Sequence, residues 1–233
     1  MSLTAGAAPL SGPPDLVLWA WERPEYLVFA GPGVGIAVLA GTVTLSGSDA
    51  RAVPRLQPAY VHPGQRVIGV VHIETDRTRP LPWNTAQRAR VASLVLSLLD
   101  NPRFAEVQID FEVRASQRDV LLDLVRDVRA ALPPAQHLSM TALASWCDTE
   151  TWLNNAAADE IVPMLFRMGP AGEPLRQRLA SGGDFRLARC RSAVGIATDT
   201  PPLNLPPGRR LWLFNPSPWT PAALAAMRER LQA

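Results

Sequence analysis

Eight short apolar runs recur along the chain, at residues 16–21, 34–39, 67–74, 107–112, 138–144, 161–166, 193–197 and 211–215. Most are rich in β-branched residues and bounded by Pro, Gly, Asp or Asn, the composition of strands set between breakers. Hydrophobicity within them is nearly continuous instead of alternating, which points to parallel strands buried on both faces. Segments of helical period lie between them. The clearest is 117–132, with Val120, Leu121, Leu124, Val125, Val128 and Leu132 on one face and Pro133-Pro134 as its stop. A second covers 85–99, apolar along Val91, Leu94, Val95 and Leu98. A third covers 221–231, with Thr220 as N-cap and Pro221 at the first helical position. Shorter helical patterns occupy 151–157 and 174–180, while the gaps at 22–33 and 198–210 are too short or too proline-rich for a full helix.

Eight strands alternating with helices predict an α/β fold: a single (β/α)8 barrel of the TIM type, with some helices reduced or missing. The length of 233 residues fits one such domain, since barrels commonly run to roughly 250 residues. An open doubly wound sheet is the alternative. Its phosphate-binding turn should follow a strand, whereas Gly31-Pro32-Gly33-Val34-Gly35 precedes one, so no dinucleotide fingerprint is present. The barrel is assigned to 15–233. Residues 1–14 are small and uncharged, lack the basic and apolar regions of a signal peptide, and are expected to be disordered or vector-derived. Met1-Ser2-Leu3 has the form of an expression scar on a truncated mature chain.

A hydrophobic content of 47% supports a sizeable core. The most apolar stretch, 33–45, is far shorter than the roughly 20 residues of a membrane helix. The 23 cationic residues, all Arg, are spread along the chain against 21 acids, for a net charge of +2. A pI of 8.9 therefore reflects a small excess and not a basic stripe, which argues against nucleic acid as a partner. Two cysteines, Cys147 and Cys190, allow one disulfide or two thiols. The topology puts Cys147 after the fifth strand, at the carboxyl end of the barrel, and Cys190 before the seventh, at the amino end, so a bridge is not expected.

Barrel active sites form at the carboxyl ends of the strands. There the chain carries Trp19, Trp21 and Glu22 on strand one, Thr42 and Thr44 beyond strand two, and His72 and Glu74 on strand three. Strand four ends Gln108-Ile109-Asp110-Phe111-Glu112, strand five runs into Ser145-Trp146, and strand six into Phe166-Arg167. Asp199 follows strand seven, and Asn215 and Trp219 follow strand eight. Period-two alternation puts Gln108, Asp110 and Glu112 on one face, which must be the interior because the outer face packs on helices. His72 and Glu74 share the inner face of the neighbouring strand. Adjacent carboxylates in a partly buried site repel, so one retains its proton near neutrality, as a general acid must.

The stretch Val107-Gln108-Ile109-Asp110-Phe111-Glu112 resembles the strand-four signature of glycoside hydrolase family 18 barrels, which ends Asp-x-Asp-aromatic-Glu. The match holds at Asp110, Phe111 and Glu112 and departs at Gln108, where that family usually has a further Asp. Pro163-Met164-Leu165-Phe166-Arg167 echoes the family's strand-six Met-x-Tyr-Asp, with Phe and Arg in place of the Tyr and Asp that help hold an N-acetyl group. The resemblance implies a glycan-acting barrel, and the departures weigh against the substrate-assisted mechanism. Val17-Leu18-Trp19-Ala20-Trp21-Glu22-Arg23-Pro24, Gln108-Ile109-Asp110-Phe111-Glu112, Thr141-Ala142-Leu143-Ala144-Ser145-Trp146-Cys147 and Val162-Pro163-Met164-Leu165-Phe166-Arg167-Met168-Gly169 are together similar to a bacterial family of unknown function, number 3142 among such domains. That similarity implies the barrel fold and an envelope location, periplasmic or secreted, with the cytoplasm as the alternative.

The expected function is hydrolysis of a bacterial glycan or exopolysaccharide, with Glu112 as general acid/base and Asp110 as its orienting or charge-stabilising partner. Glu74 is the candidate second carboxylate: a separation from Glu112 of roughly 5–5.5 Å would mean retention of configuration, and roughly 6.5–9.5 Å inversion. Trp19, Trp21, Trp146 and Trp219 are candidates to stack on sugar C–H faces, with Glu22, His72, Arg167, Asp199 and Asn215 as further substrate contacts. The plain alternatives are that the tryptophans plug the barrel and that Arg167 or Arg114 simply neutralises the acids. A non-catalytic glycan-binding barrel is the rival function. No His-x-x-x-His pair joins His62, His72 and His137, and no metal or cofactor is called for. Ser145 lacks a Gly-x-Ser-x-Gly elbow and Cys147 a His near it in sequence, so both are poor nucleophile candidates. The chain is expected to act as a monomer without inserting into a membrane.

Overall fold

The structure, a computed structural model, describes residues 15–169, 172–200 and 206–232. The expectations for residues 1–14, and for Pro201-Pro202 in the proline-rich gap, lie outside the described residues. In chain order the elements are β1 (Leu16–Ala20), β2 (Glu25–Tyr26), β3 (Gly35–Ser46), β4 (Asp49–Pro54), β5 (Ala59–Tyr60) and β6 (Val67–Thr75). There follow α1 (Thr85–Leu99), β7 (Phe104–Phe111), α2 (Arg118–Ala131), β8 (His137–Leu143), α3 (Trp146–Thr149) and β9 (Glu160–Met164). The chain ends with α4 (Gly172–Ala180), β10 (Ala193–Ala197), β11 (Arg210–Phe214) and α5 (Pro221–Gln232).

Strands β1, β3, β6, β7, β8, β9, β10 and β11 pair in that order, all parallel, and β11 closes back on β1. The fold is thus a closed eight-stranded (β/α)8-type barrel with few helices, and each of the eight apolar runs supplies one strand. Helices α1 and α2 occupy the two strongest helical patterns. Asn84 caps α1 by accepting from the Gln87 backbone N–H at 3.0 Å.

Several connections lack the full helix of a regular barrel, and two of them shape the surroundings of the mouth and the disulfide. The second barrel strand, β3, runs well past residue 39 and turns into an antiparallel hairpin with β4 instead of a crossover helix. Past Gly41 its residues alternate between buried (Val43, Leu45) and more accessible (Thr42, Thr44), the pattern of a strand with one solvated face. The pairing with β6 slips between Leu39 and Gly41, and a side chain at Gly41 would strike the Val53 carbonyl at 2.5 Å. In the other, the pattern at 151–157 forms only a single 3₁₀ turn, Trp152–Asn155, and not a helix.

Alternate residues divide two cores. Outward side chains such as Ile109 and Phe111 pack beneath the helices. Inward ones, among them Val17, Trp19, Ile68, Val70, Val162, Met164 and Trp212, fill the barrel. The Trp19 and Trp212 rings lie 5.4 Å apart across the interior. Gly195 leaves room for them, since a Cβ there would sit 3.0 Å from the Trp19 ring. Below them Arg210 bridges Glu106 at 2.7 Å and Glu160 at 3.2 Å, closing the amino end with a buried ion cluster. Burial pushes the Glu160 carboxyl up, against the pull of Arg210.

The two cysteines are bonded, which corrects the expectation that they stay apart. Cys147 and Cys190 form a disulfide with Cα atoms 5.9 Å apart, and both are fully buried. The intervening β9 has five residues, a span of only about 17 Å, and the segment leading to β10 doubles back along the outside. Leu187 donates its N–H to the Cys147 carbonyl at 3.0 Å, seating the Ala188–Cys190 turn against α3. Opposite ends of so short a strand are within reach once the connectors fold back.

Candidate functional site

The parallel register sets His72 on β6 directly beside Asp110 on β7. Asp110 is nearly buried and fully engaged. Its Oδ1 accepts from Thr141 Oγ1 on β8 at 2.6 Å, and its Oδ2 lies 2.7 Å from His72 Nδ1. The other imidazole nitrogen, Nε2, lies 3.2 Å from Glu74 Oε1, and Glu74 is exposed. Asp110, His72 and Glu74 thus form one hydrogen-bonded chain from the barrel interior to its mouth. Partial burial by itself lowers the His72 pKa, but the hydrogen bond and charge of Asp110, joined by Glu74, outweigh it and raise the imidazole above its ordinary value. A neutral imidazole can donate from one nitrogen only, whereas both nitrogens here face carboxylate oxygens.

Glu112 follows β7 on the same inward parity, one position beyond the last β6–β7 pair, Ile73 with Phe111. Its side chain is 38% exposed and meets Arg167 at 3.4 Å. Desolvation raises its carboxyl above the usual range and nearby Asp110 adds to this, while Arg167, His72 and Arg77 pull the other way. The structure therefore brings Glu74, His72, Asp110, Glu112 and Arg167 to one mouth. Trp21 completes it, edge-on to His72 at 5.2 Å and to Phe214 at 6.4 Å. Phe214 stacks on Phe166 at 5.2 Å, and these two rings with Arg176 and Asp199 line an adjoining cavity of about 310 Å³.

Other residues read as substrate contacts stand elsewhere. Trp19 is the floor of the mouth, 4% exposed, with Nε1 donating to Gln108 Oε1 at 2.7 Å. Trp146 lies in the outer layer, buried edge-on against Trp152 at 5.2 Å. Trp219 is buried as well, and donates from Nε1 to the Trp19 carbonyl at 2.9 Å. Glu22 accepts from the Leu56 and Gln57 backbone at 3.0 Å, so it holds a loop. Asn215 Oδ1 accepts from Thr198 Oγ1 at 2.8 Å, and its amide reaches the Pro218 carbonyl. Trp19, Trp219, Glu22 and Asn215 spend polar atoms on scaffolding.

Several working residues escaped the sequence reading. Thr141 was legible in principle, as a hydroxyl on the inward parity of β8. Arg55 was not: it donates to the carbonyls of Ala20, Trp21, Arg23 and Gln57 and so fixes where Trp21 stands. Arg23 ties the same loop to the carbonyls of Asn215, Pro216 and Ser217 while pairing with buried Glu25 at 2.7 Å. Among the described residues no group of three or more His, Cys, Asp or Glu is arranged to hold a metal ion, and no helix is long and apolar enough to cross a membrane.

The arrangement sets a carboxyl whose pKa desolvation raises beside a second, solvated carboxylate, with aromatic rings near both, and this suits acid/base work on a ring-shaped molecule. No family model matches the chain, and no curated protein is detectably similar to it.

Proposed function

We propose that this barrel is a glycoside hydrolase-like enzyme acting on a bacterial glycan or exopolysaccharide. The observation that carries the reading is Glu112: a carboxyl at the mouth whose pKa desolvation raises, two residues beyond Asp110 of the Asp110–His72–Glu74 chain. Protonated Glu112 delivers its proton to the glycosidic oxygen. Glu74, exposed at the surface end of the chain, attacks the anomeric carbon as the protonated leaving group departs, or activates a water for that attack. Asp110, held by Thr141 and His72, is the partner that orients the mouth toward the developing oxocarbenium ion. Trp21, Phe166 and Phe214 offer ring faces and edges to the sugar. A fully buried disulfide supports an oxidising, extracytoplasmic location.

The test is turnover of a panel of envelope glycans by the wild type and by Glu112→Gln. Loss of turnover in the variant is expected, and equal activity of the two proteins sinks the hydrolase reading. The 3.4 Å pair between Arg167 and Glu112 favours a second reading, a glycan-binding barrel without turnover, because a neutralised Glu112 is a poor acid. Binding without hydrolysis by either protein selects that reading.

A further inference from the structure

Beside the mouth, between the loop after β6 and the loop after β7, lies a second cavity of about 530 Å³. Arg77, Arg79 and Arg114 line it, together with Trp83. Two acids also line it. The Asp76 carboxylate is already bound by Thr78 and by Ser46 Oγ, and Asp119 is exposed on the first turn of α2. The guanidinium groups of Arg77 and Arg114 have no hydrogen bond or close ion pair among the described residues, although the charge of Arg77 is felt by Glu112. Exposed arginines without partners on the wall of a concave site are suited to a planar or tetrahedral anion, which their donor forks grip.

Trp83 supplies an independent sign. It is the one non-glycine residue with a positive φ among the described residues, at 40°. A bulky side chain rarely adopts that conformation, and where one does, the surroundings hold it there. Here Gln87 Oε1 accepts from the Trp83 backbone N–H at 2.8 Å, and Asp123 Oδ2 accepts from its indole N–H at 3.1 Å. The indole is thereby fixed, half-buried, on the cavity wall.

We propose that this cavity is a subsite for an anionic sugar, with Trp83 stacking on the ring and Arg77 and Arg114 holding a uronate carboxylate or a sulfate ester. The assignment rests on the glycan reading of the mouth and names the substrate class: a polyanionic glycan that runs from Glu112 across Arg77 into the cavity.

Calorimetric titration of the full chain with trigalacturonate, with its carboxyl-reduced neutral counterpart and with an O-sulfated form of that counterpart tests it. At least one anionic trisaccharide is expected to bind about tenfold more tightly than the neutral one, the scale of a charge-assisted contact, and the stronger of the two identifies the anion. The Arg77→Gln/Arg114→Gln double variant, altered only at exposed positions, should lose that advantage and bind the neutral sugar as before. Equal affinity for all three sugars, or an advantage that survives in the double variant, overturns the proposal. Anion-selective binding without turnover of any glycan leaves the subsite standing and removes the hydrolase. Turnover of glycans without anion selectivity does the reverse.

Discussion

His72 stands between two carboxylates, with Nδ1 2.7 Å from Asp110 and Nε2 3.2 Å from Glu74. Only the doubly protonated ring satisfies both neighbours, which is why they overcome the cost of partial burial. His137, near Glu106 at the other end of the barrel, is lowered instead, because desolvation dominates there. Proton NMR titration of the imidazoles should find His72 titrating above the ordinary value of about 6.5 and His137 below it. The folding consequence has a definite sign. A raised imidazole stabilises fully below its unfolded pKa, and that contribution is lost as pH rises through the folded value. A His72 resonance titrating at or below the ordinary value refutes the bridged imidazolium.

Glu112 carries a linkage of the same sign in a more acidic window. Its folded carboxyl titrates above the unfolded one, so stability falls as pH rises from the unfolded value, about 4.3, through the folded one. Glu112→Gln removes that loss. Its melting temperature should exceed that of the wild type near neutral pH and converge with it in acid, while hydrolysis falls by about 10²- to 10⁴-fold. Melting curves at several pH values decide this, and a variant less stable at neutrality would mean that the Arg167 pair outweighs desolvation.

Trp19 and Trp21 are two residues apart in sequence and opposite in duty. Trp19→Phe leaves the buried Gln108 Oε1 without its donor and should cost about 1–3 kcal/mol in urea unfolding. The Trp21 side chain makes only ring contacts among the described residues, and its carbonyl bonds survive truncation, so Trp21→Ala should spare stability and weaken glycan binding by about tenfold. Similar stability losses in both variants would place Trp21 in the scaffold too.

The Cys147–Cys190 bond closes a loop over a sequence separation of 43. Replacing both cysteines by alanine should lower unfolding free energy by about 2–4 kcal/mol. Reductant should then destabilise the wild type and leave the double variant unchanged. Insensitivity of the wild type to reductant under unfolding conditions would show that the bridge contributes nothing.

The barrel and half of its mouth were legible in the chain itself. Parallel strands buried on both faces leave continuous apolar runs, and all eight became barrel strands. Strand parity then told inward from outward at Gln108, Asp110 and Glu112, because alternation is a local property of the backbone. The β3–β4 hairpin was less visible, since Gly41 marks an end to the apolar run while the strand continues through Thr42, Val43, Thr44 and Leu45 to Ser46.

Tertiary structure decided the rest. Trp19, Trp21, Trp146 and Trp219 all read as mouth residues, yet only Trp21 borders the carboxylates, because connector paths and ring packing set the depth of each. The Cys147–Cys190 bond, the Arg55 clamp on the end of β1 and the meeting of Arg77, Arg114 and Trp83 around one cavity depend on how far each loop folds back. Sequence pattern records which way a side chain faces its own strand or helix. Distances between residues remote in the chain are set by closure of the barrel, and no local pattern carries them.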